Sequence, residues 1–333
     1  MSSLQSLREA AGLTQTELAA RAGVSRQAIG AVEAGRHLPR VDAALALAAA
    51  LAVDVEDLFA PELVAADVIT GAVAADGSSV RVGRVGNRSV TAPARVGAQG
   101  WDVADGTIEA GMLRTFGHHA PGLVVAGCEP GLEVLERLLR EAGMGAVAAA
   151  GSSATAIAAL EAGRVHAAVV HGPESRHVAE PRGVAVERFR VGRWQVGLAA
   201  PGDVGAGWWN EALSGRTPVV QREQGAGVQR AFEGAVDAGR LPVPGPRVGT
   251  HLEAARRSMI SGVPAVTIEP AALAVGATFH SLEIHEAQLW VSTQWLNDRV
   301  VTEALNVIVG QSFQARLASV GGYDLTGSGS RIA

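Results

Sequence analysis

The chain has 333 residues, of which 48% are hydrophobic and 18% are charged, and its formal net charge is −5. This composition excludes a wholly disordered chain and a polycation, and the length allows two or three compact units. Every one of the 28 basic residues is an arginine.

The single cysteine, Cys128, excludes a disulfide framework within the chain and suits a reducing compartment. The N-terminus carries no charged-then-apolar signal segment, and the sequence holds no run of 18 apolar residues. We therefore expect a cytoplasmic protein that makes no contact with a membrane.

The clearest motif lies near the N-terminus. Thr14 can cap a helix over Gln15–Ala22, and Ser25 can cap a second helix over Arg26–Ala34, with Gly23 in the turn between them. Two short helices joined by such a turn form a helix-turn-helix, whose second helix can enter the major groove of DNA. Further helices are expected over Leu4–Ala11, Val41–Leu51 and Val55–Phe59.

This stretch, from Leu7-Arg8 through GLTQTELAARAGVSRQ to Pro39, resembles the Cro/C1-type (XRE) DNA-binding domain. The resemblance covers residues 1–60 and implies a double-stranded DNA operator bound by a homodimer. Five arginines against seven carboxylates give residues 1–60 a net charge of −2, which favours weak non-specific binding and dependence on dimerisation. The predicted DNA-binding residues are Arg26, Gln27, Ala28 and Ala31 on the outer helix face, with Gln15, Ser25 and Arg36 on phosphates.

Residues 61–120 are predicted to form a short β-rich connector. Strands are expected over Val80–Val85 and Ser89–Ala92, with a turn at Asp105-Gly106. Four arginines in this region favour a solvated strand face over a nucleic-acid contact: Arg81, Arg84, Arg88 and Arg95.

From Leu123 onward, strands and helices alternate, which indicates an α/β fold. Two such sets joined by extended segments predict two lobes with a cleft between them, and ligands of such folds lie at helix N-termini beyond the strand ends. The last strands are expected over Thr278–Glu283 and Ala287–Ser292.

Three segments in this half, LVVAGCEPGLEVLERLLREAG, GSSATAIAALEAGRVHAAVVHG and RWQVGLAAPGD, resemble the periplasmic-binding-protein-like domain fused to bacterial helix-turn-helix regulators. The terminal LASVGGYDLTG resembles it too. That family is similar to molybdate- and tungstate-binding proteins, so the resemblance implies a type II solute-binding fold that senses a small ligand, such as an oxyanion. It covers residues 121–327, and 328–333 form a tail.

The resemblance also implies a ligand site. Its first-lobe part would be Cys128, Glu129, Ser152 and Ser153, at strand-to-helix turns whose hydroxyls and backbone N–H groups suit an oxyanion. Either serine can equally serve only as a helix cap, and the charge of Glu129 opposes an anion.

The second-lobe loop departs from the family pattern R-x-x-GSGTR. Here it follows Arg222 as Glu-Gln-Gly225-Ala226-Gly-Val-Gln, so both hydroxyls and the final arginine are replaced. Thr250 and His251 match the family at the next helix start, where Thr250 can also act only as a cap. The site therefore either takes a different ligand or is vestigial.

Other patterns in the sequence do not favour an enzyme. It has no HExxH, Walker or GxSxG motif, and no cofactor or metal is expected. His280, Glu283, His285 and Glu286 resemble a metal cluster, but a strand points His280 and His285 to opposite faces. Tryptophans of the second half can stack on a planar ligand, although core anchoring is their more common role; they are Trp194, Trp208, Trp209, Trp290 and Trp295.

The sequence thus favours a DNA-binding transcription regulator whose two-lobed domain senses a small ligand. The alternative is a DNA-binding regulator whose second domain binds a protein or single-stranded nucleic acid, or serves only for dimerisation.

Overall fold

The computed structural model forms two compact units, residues 1–67 with 72–120 and residues 68–71 with 121–333. No helix in the described part of the chain is long and apolar enough to cross a membrane. The predicted site residues Arg36 and Glu129 lie outside the described residues. The structure describes residues 3–34, 38–53, 55, 58, 65–86, 88–94, 96–97, 100–101, 103–117, 122–128, 131–173, 178–237 and 241–332.

The predicted helix-turn-helix is present in the first unit. The Thr14 hydroxyl accepts a hydrogen bond from the Glu17 amide (3.2 Å), and the Glu17 carboxylate accepts one from the Thr14 amide (2.8 Å), which completes a capping box. Gly23 ends the first helix at φ +64°, a conformation that glycine adopts without strain. The helices are α1 (Ser3–Ala10), α2 (Gln15–Ala22), α3 (Arg26–Glu33) and α4 (Val41–Leu51).

Apolar side chains from all four helices form the core of this domain. Leu4, Leu18, Ile29 and Leu47 are each at most 2% exposed, so the four helices share one buried interior. The helix predicted over Val55–Phe59 falls mostly outside the described residues.

Short strands follow the helices in the first unit. They are β1 (Ala66–Asp67), β2 (Ser79–Val85), β3 (Arg88–Pro93), β4 (Val96–Gly97), β5 (Gly100–Trp101), β6 (Gly106–Glu109) and β7 (Met112–Thr115). Five of them form a sheet in the order β1-β3-β2-β6-β7. The turn predicted at Asp105-Gly106 is wrong, because Gly106 begins a strand and the hairpin turns at Ala110-Gly111, where both φ angles are positive. The solvated face predicted for Arg81 is also wrong, since its side chain is 2% exposed.

The second unit has the predicted α/β fold. Its strands are β8 (Gly122–Gly127), β9 (Gly145–Ala150), β10 (Ala167–Pro173), β11 (Val186–Ala200), β12 (Gln221–Arg222), β13 (Arg247–Val248), β14 (Ala265–Ile268), β15 (Thr278–Ser292) and β16 (Arg331–Ile332). Its helices are α5 (Gly131–Glu141), α6 (Ser153–Glu161), α7 (Trp208–Leu213), α8 (Gly227–Ala235), α9 (His251–Ser261), α10 (Glu269–Ala274), α11 (Arg299–Val309) and α12 (Gln311–Val320). The main sheet has the order β14-β11-β15-β10-β8-β9.

Two 15-residue strands, β11 and β15, pair antiparallel along their length and belong to both lobes. One end of the pair lies beside the parallel strands β10, β8 and β9, which we call the first lobe with α5, α6, α11 and α12. The other end lies beside β14, which we call the second lobe with β12, β13 and α7–α10. The register shifts between Arg190 and Gly192 and again between Val196 and Gly197, so the shared pair is irregular where the lobes meet.

Three features of this unit differ from the prediction. The two strands expected over Thr278–Glu283 and Ala287–Ser292 are one strand, because β11 pairs with the residues between them. Helices α7 and α10 were not predicted. Arg331–Ile332, within the predicted tail, pairs with β11.

The shared strands β11 and β15 approach each other closely at Gly197. A Cβ at this position would lie 1.9 Å from the carbonyl oxygen of His280 on the paired strand, so the backbone has to move. We expect Gly197→Ala to lower the free energy of unfolding by ~1–3 kcal/mol, measured by urea denaturation. Gly202→Ala is the matched control, since nothing lies within 4 Å of its added Cβ. Equal stability of the two variants would contradict the close pairing of β11 with β15 at Gly197.

Candidate functional site

The predicted recognition helix is α3. Ser25 caps it by accepting a hydrogen bond from the Ala28 amide at 3.1 Å. Arg26 and Gln27 are exposed, whereas Ala28 and Ala31 are half-buried. The helix therefore presents two long polar side chains at its first turn, where a helix in a major groove contacts base edges.

A buried polar network beneath this helix was missed by the sequence analysis. Glu33, at the end of α3, accepts from Arg8 Nε at 2.6 Å and from Gln15 Nε2 at 2.8 Å. The hydrogen bond to Glu33 raises the pKa of Arg8, although partial burial lowers it. Gln15, predicted to contact phosphate, is thus held against α3 by its own side chain. The long sequence separation of Arg8 and Glu33 hides this contact from any local pattern.

The second unit contains a cleft of about 840 Å³ between its lobes. Small-molecule sites commonly occupy ~300–1,000 Å³. Described residues lining the cleft come from α6 and the segment after β10 in the first lobe, and from α8 in the second. They include Ser152, Ser153, Ile157, Glu161, His171, Glu180, Arg182, Gly225, Ala226, Gly227, Arg230, Leu282 and Glu283.

Two helix N-termini open on this cleft. Ser152 caps α6 by accepting from the Thr155 amide at 3.3 Å, and Ser153 Oγ accepts from the His171 amide at 3.0 Å. Helix α8 begins after Ala226 with no side-chain cap. Because the first N–H groups of a helix carry partial positive charge, both termini favour a negatively charged group.

Arg230 lies on α8, also lines the cleft and is exposed. Its guanidinium makes no hydrogen bond or ion pair with the described residues. An arginine that makes no ion pair is available to bind an anionic group. The cleft also carries Glu161, Glu180 and Glu283.

Arg222 lies elsewhere. It is 1% exposed and is not among the described residues that line the cleft. Its guanidinium donates to the Gly249 carbonyl (2.6 Å), the Val248 carbonyl (3.2 Å) and Cys128 Sγ (3.1 Å), and lies 2.6 Å from His251 Nδ1. Since guanidinium only donates, Nδ1 of His251 accepts and Nε2 carries the proton.

The remaining predicted ligand residues also lie outside the lining. Cys128 and His251 are buried against Arg222. Thr250 caps α9 by accepting from the Glu253 amide at 3.2 Å. The structure thus brings Ser152, Ser153 and the 225–226 loop to the cleft, and groups Cys128 and His251 around Arg222.

A hydrogen-bonded triad lies beside the cleft: Glu283 and His285, which the sequence suggested only as part of a metal cluster, and His171, which the sequence analysis missed. His285 Nε2 lies 2.5 Å from Glu283 Oε1, and the Nδ1 atoms of His285 and His171 are 2.9 Å apart. Burial lowers the pKa of His171 to about 3, helped by the positive charges nearby. Burial also lowers the pKa of His285, against the opposing effect of Glu283. Alternation along β15 places Glu283 and His285 on one face, which is the signal that could have found this pair.

In the part of the chain that the structure describes, the cleft holds neither a metal site nor an aromatic platform. The described residues contain no group of three or more His, Cys, Asp or Glu side chains that could hold a metal ion. Trp194 and Trp290 are 2% exposed and belong to the core. No tryptophan is among the described residues lining the cleft, so these rings support core anchoring.

The N-terminal residues match a known protein family. Residues 4–58 match the helix-turn-helix family model HTH_3. The restriction-modification controller protein C.AhdI from Aeromonas hydrophila is 38% identical, over 17% of this chain and 86% of that chain, with a TM-score of 0.17. No curated protein matches the chain.

Two solved structures are similar to a longer part of the chain. A Clostridium perfringens protein described as a phosphate ABC transporter substrate-binding protein, with bound phosphate, is 12% identical over 61% of this chain and 98% of that chain (TM-score 0.47). The regulatory domain of HypT from Salmonella typhimurium, bromide ion-bound, is 10% identical over 61% and 97% (TM-score 0.45).

Arg222 is expected to stabilise the second unit. Arg222→Met removes the donor from two backbone carbonyls and a ring nitrogen, and a buried group left unsatisfied costs ~1–3 kcal/mol. We expect a loss of about 3 kcal/mol or more in the free energy of unfolding, measured by urea denaturation. Arg230→Met is the matched control, because that arginine is exposed. A stability loss in the control as large as in Arg222→Met would refute this role.

Proposed function

We propose that this chain, whose residues 4–58 match the helix-turn-helix family model, is a transcription regulator that binds an operator and senses a small anion. The N-terminal domain contacts DNA, and the interlobe cleft of the second unit takes the anion. The observation that carries the sensor part is Arg230, an exposed cation in a cleft that two helix N-termini also face.

DNA contact is assigned to the exposed first turn of α3. Arg26 and Gln27 have the donor and acceptor groups that pair with guanine and adenine edges in a major groove. Gln15 and Ser25 are assigned to phosphates, together with Arg36. With a net charge of −2 on residues 1–60, a single head binds weakly, which favours a homodimer on two half-sites about one helical turn apart.

The cleft is assigned to a small molecule with an anionic group. Partial positive charge at the N-termini of α6 and α8, the Ser153 hydroxyl and the Arg230 guanidinium supply the attraction. Ile157 and Leu282 supply apolar wall. Binding favours the closed arrangement of the lobes, and this shift in population alters operator affinity, with reciprocal coupling between the two ligands.

The DNA assignment is tested by Arg26→Ala combined with Gln27→Ala. Each bidentate base contact is worth ~1–3 kcal/mol, so we expect operator binding to weaken by about 30-fold or more. Fluorescence anisotropy on operator fragments selected from genomic DNA measures this. Arg257→Ala, on the exposed face of α9, should leave affinity unchanged. Intact operator binding by the double variant would remove α3 from the interface.

The sensor assignment is tested by thermal unfolding with sulfate, phosphate, molybdate and small carboxylates. A ligand at 100 times its Kd stabilises by ~2.7 kcal/mol, so we expect the melting temperature to rise by about 3 °C or more for a binding anion. Arg230→Ala should abolish the rise, and Arg257→Ala should preserve it.

A melting temperature that stays constant across all these anions would favour the second candidate. The replaced hydroxyls of the 225–229 loop support that candidate, in which the second unit binds a macromolecule or serves only for dimerisation. Operator binding would be unaffected by that outcome.

A further inference from the structure

The number of protons held by the Glu283–His285–His171 triad determines whether His171 presents a hydrogen-bond donor or an acceptor to the cleft. We propose that the cleft binds its anion together with one proton, which the triad takes up. This inference rests on the proposed anion site and adds its chemistry: His171 becomes a hydrogen-bond donor to the bound anion only in the protonated triad.

The count follows from the two short distances. With Glu283 as a carboxylate, His285 Nε2 at 2.5 Å must donate to it, so His285 Nδ1 is free to accept. The proton between the two rings, 2.9 Å apart, then belongs to His171 Nδ1. Neutral His171 is left with Nε2 as an unprotonated acceptor, which has no hydrogen-bond partner among the described residues.

One more proton reverses that polarity. The added proton binds Nε2 of His171, while the proton between the rings either stays on His171 Nδ1 or moves to His285 Nδ1. In both arrangements His171 Nε2 becomes an N–H donor. The added positive charge is shared along the triad and faces the Glu283 carboxylate. A protonated triad suits an anion, whereas the bare Nε2 lone pair repels one.

The surroundings oppose the added proton while the cleft lacks an anion. Arg222 on β12 and Arg230 on α8 act on His171 by charge repulsion, and His251 on α9 lies 5.9 Å away between ring centroids. Burial and these charges keep the pKa of His171 at about 3. An anion in the cleft offsets the repulsion, because it places negative charge beside the same groups.

The position of the triad connects it to the cleft and to the first residues of helices α6 and α8. His171 and Glu283 line the cleft, and His171 lies at the end of β10 where its amide donates to Ser153 at the start of α6. A Cβ built on Gly227, the first residue of α8, would lie 3.3 Å from His285 and 3.5 Å from His171. The triad therefore lies beside the N-termini of both helices that face the anion.

Proton uptake by the triad makes the anion affinity depend on pH. Anion binding raises the pKa of the triad, so the bound state holds more protons than the free state at any pH between the two pKa values. Anion affinity therefore increases as the pH falls, by up to tenfold per pH unit, and each binding event takes up at most one proton.

Sulfate is the probe, because it does not titrate between pH 5.5 and 8.0 and any proton taken up belongs to the protein. Titration calorimetry of the full chain in buffers of different ionisation enthalpy gives the proton count per sulfate. We expect between about one half and nine tenths of a proton at pH 5.5 and, correspondingly, a Kd about two- to tenfold tighter at pH 5.5 than at pH 7.5.

Two variants locate the proton. Glu283→Gln retains an acceptor for His285 but removes the charge, and we expect proton uptake to fall to near zero. His171→Gln offers a permanent amide donor, so sulfate binding should persist and become independent of pH. His280→Gln, on the same strand but stacked on Trp209 at 4.4 Å, is the matched control and should behave as the unaltered chain.

The outcomes separate the two proposals. Sulfate binding without proton uptake, or uptake unchanged in both triad variants, overturns the proton-coupled site and leaves the anion sensor standing. No sulfate binding at any pH in this range overturns the triad proposal and the sulfate-type anion site together. Circular dichroism and melting temperature check that each variant is folded before it is measured.

Discussion

A guanidinium group buried at 1% exposure is the constraint on which the second unit depends. Taking a charge out of water is costly unless every donor is satisfied, so the backbone around Arg222 must supply acceptors in fixed places. The carbonyls of Val248 and Gly249 do so immediately before α9, and His251 adds a ring nitrogen on its first turn. Through Cys128 the same side chain also reaches the end of β8 in the other lobe.

Two arginines of the second lobe, Arg222 and Arg230, have opposite environments. Arg222 directs its donors to the protein, whereas Arg230, on α8, faces the cleft and has no protein acceptor among the described residues. Ala226 and Val228, between these two arginines, offer no side-chain donor to the site, but a cation and an uncapped helix N-terminus remain there. The cleft keeps its attraction for negative charge through these groups.

Local sequence signals predicted the helix-turn-helix and the order of the α/β elements. The capping residues Thr14 and Ser25 and the turn residue Gly23 act within a few positions, so their effect can be read from spacing alone. Contacts between distant residues could not be predicted this way. His171 and His285 meet because β10 pairs with β15, and Arg8 meets Glu33 because α1 packs on α3.

The burial of Arg222 was equally hidden, because arginine is usually exposed and no local pattern marks the exception. The helix over Glu269–Ala274 did carry a signal, since Pro270 occupies its first turn, where proline is favoured. The single long strand β15 was divided in the prediction because the polar residues His285 and Glu286 interrupt its apolar run. In the structure these two side chains are buried with partners of opposite character: Glu283 for His285 and Arg190 for Glu286.

The strands shared by the two lobes also fix the order in which the second unit can assemble during synthesis. The first lobe draws its strands from two distant stretches, β8 to the first half of β11 and then the last half of β15, while the whole second lobe lies between them. A growing chain therefore contains every strand of the second lobe before the first lobe receives its central one. Until β15 is synthesised, β10 in the first lobe has an unpaired strand edge. In that state chaperone binding or mispairing with another chain competes with completion of the sheet.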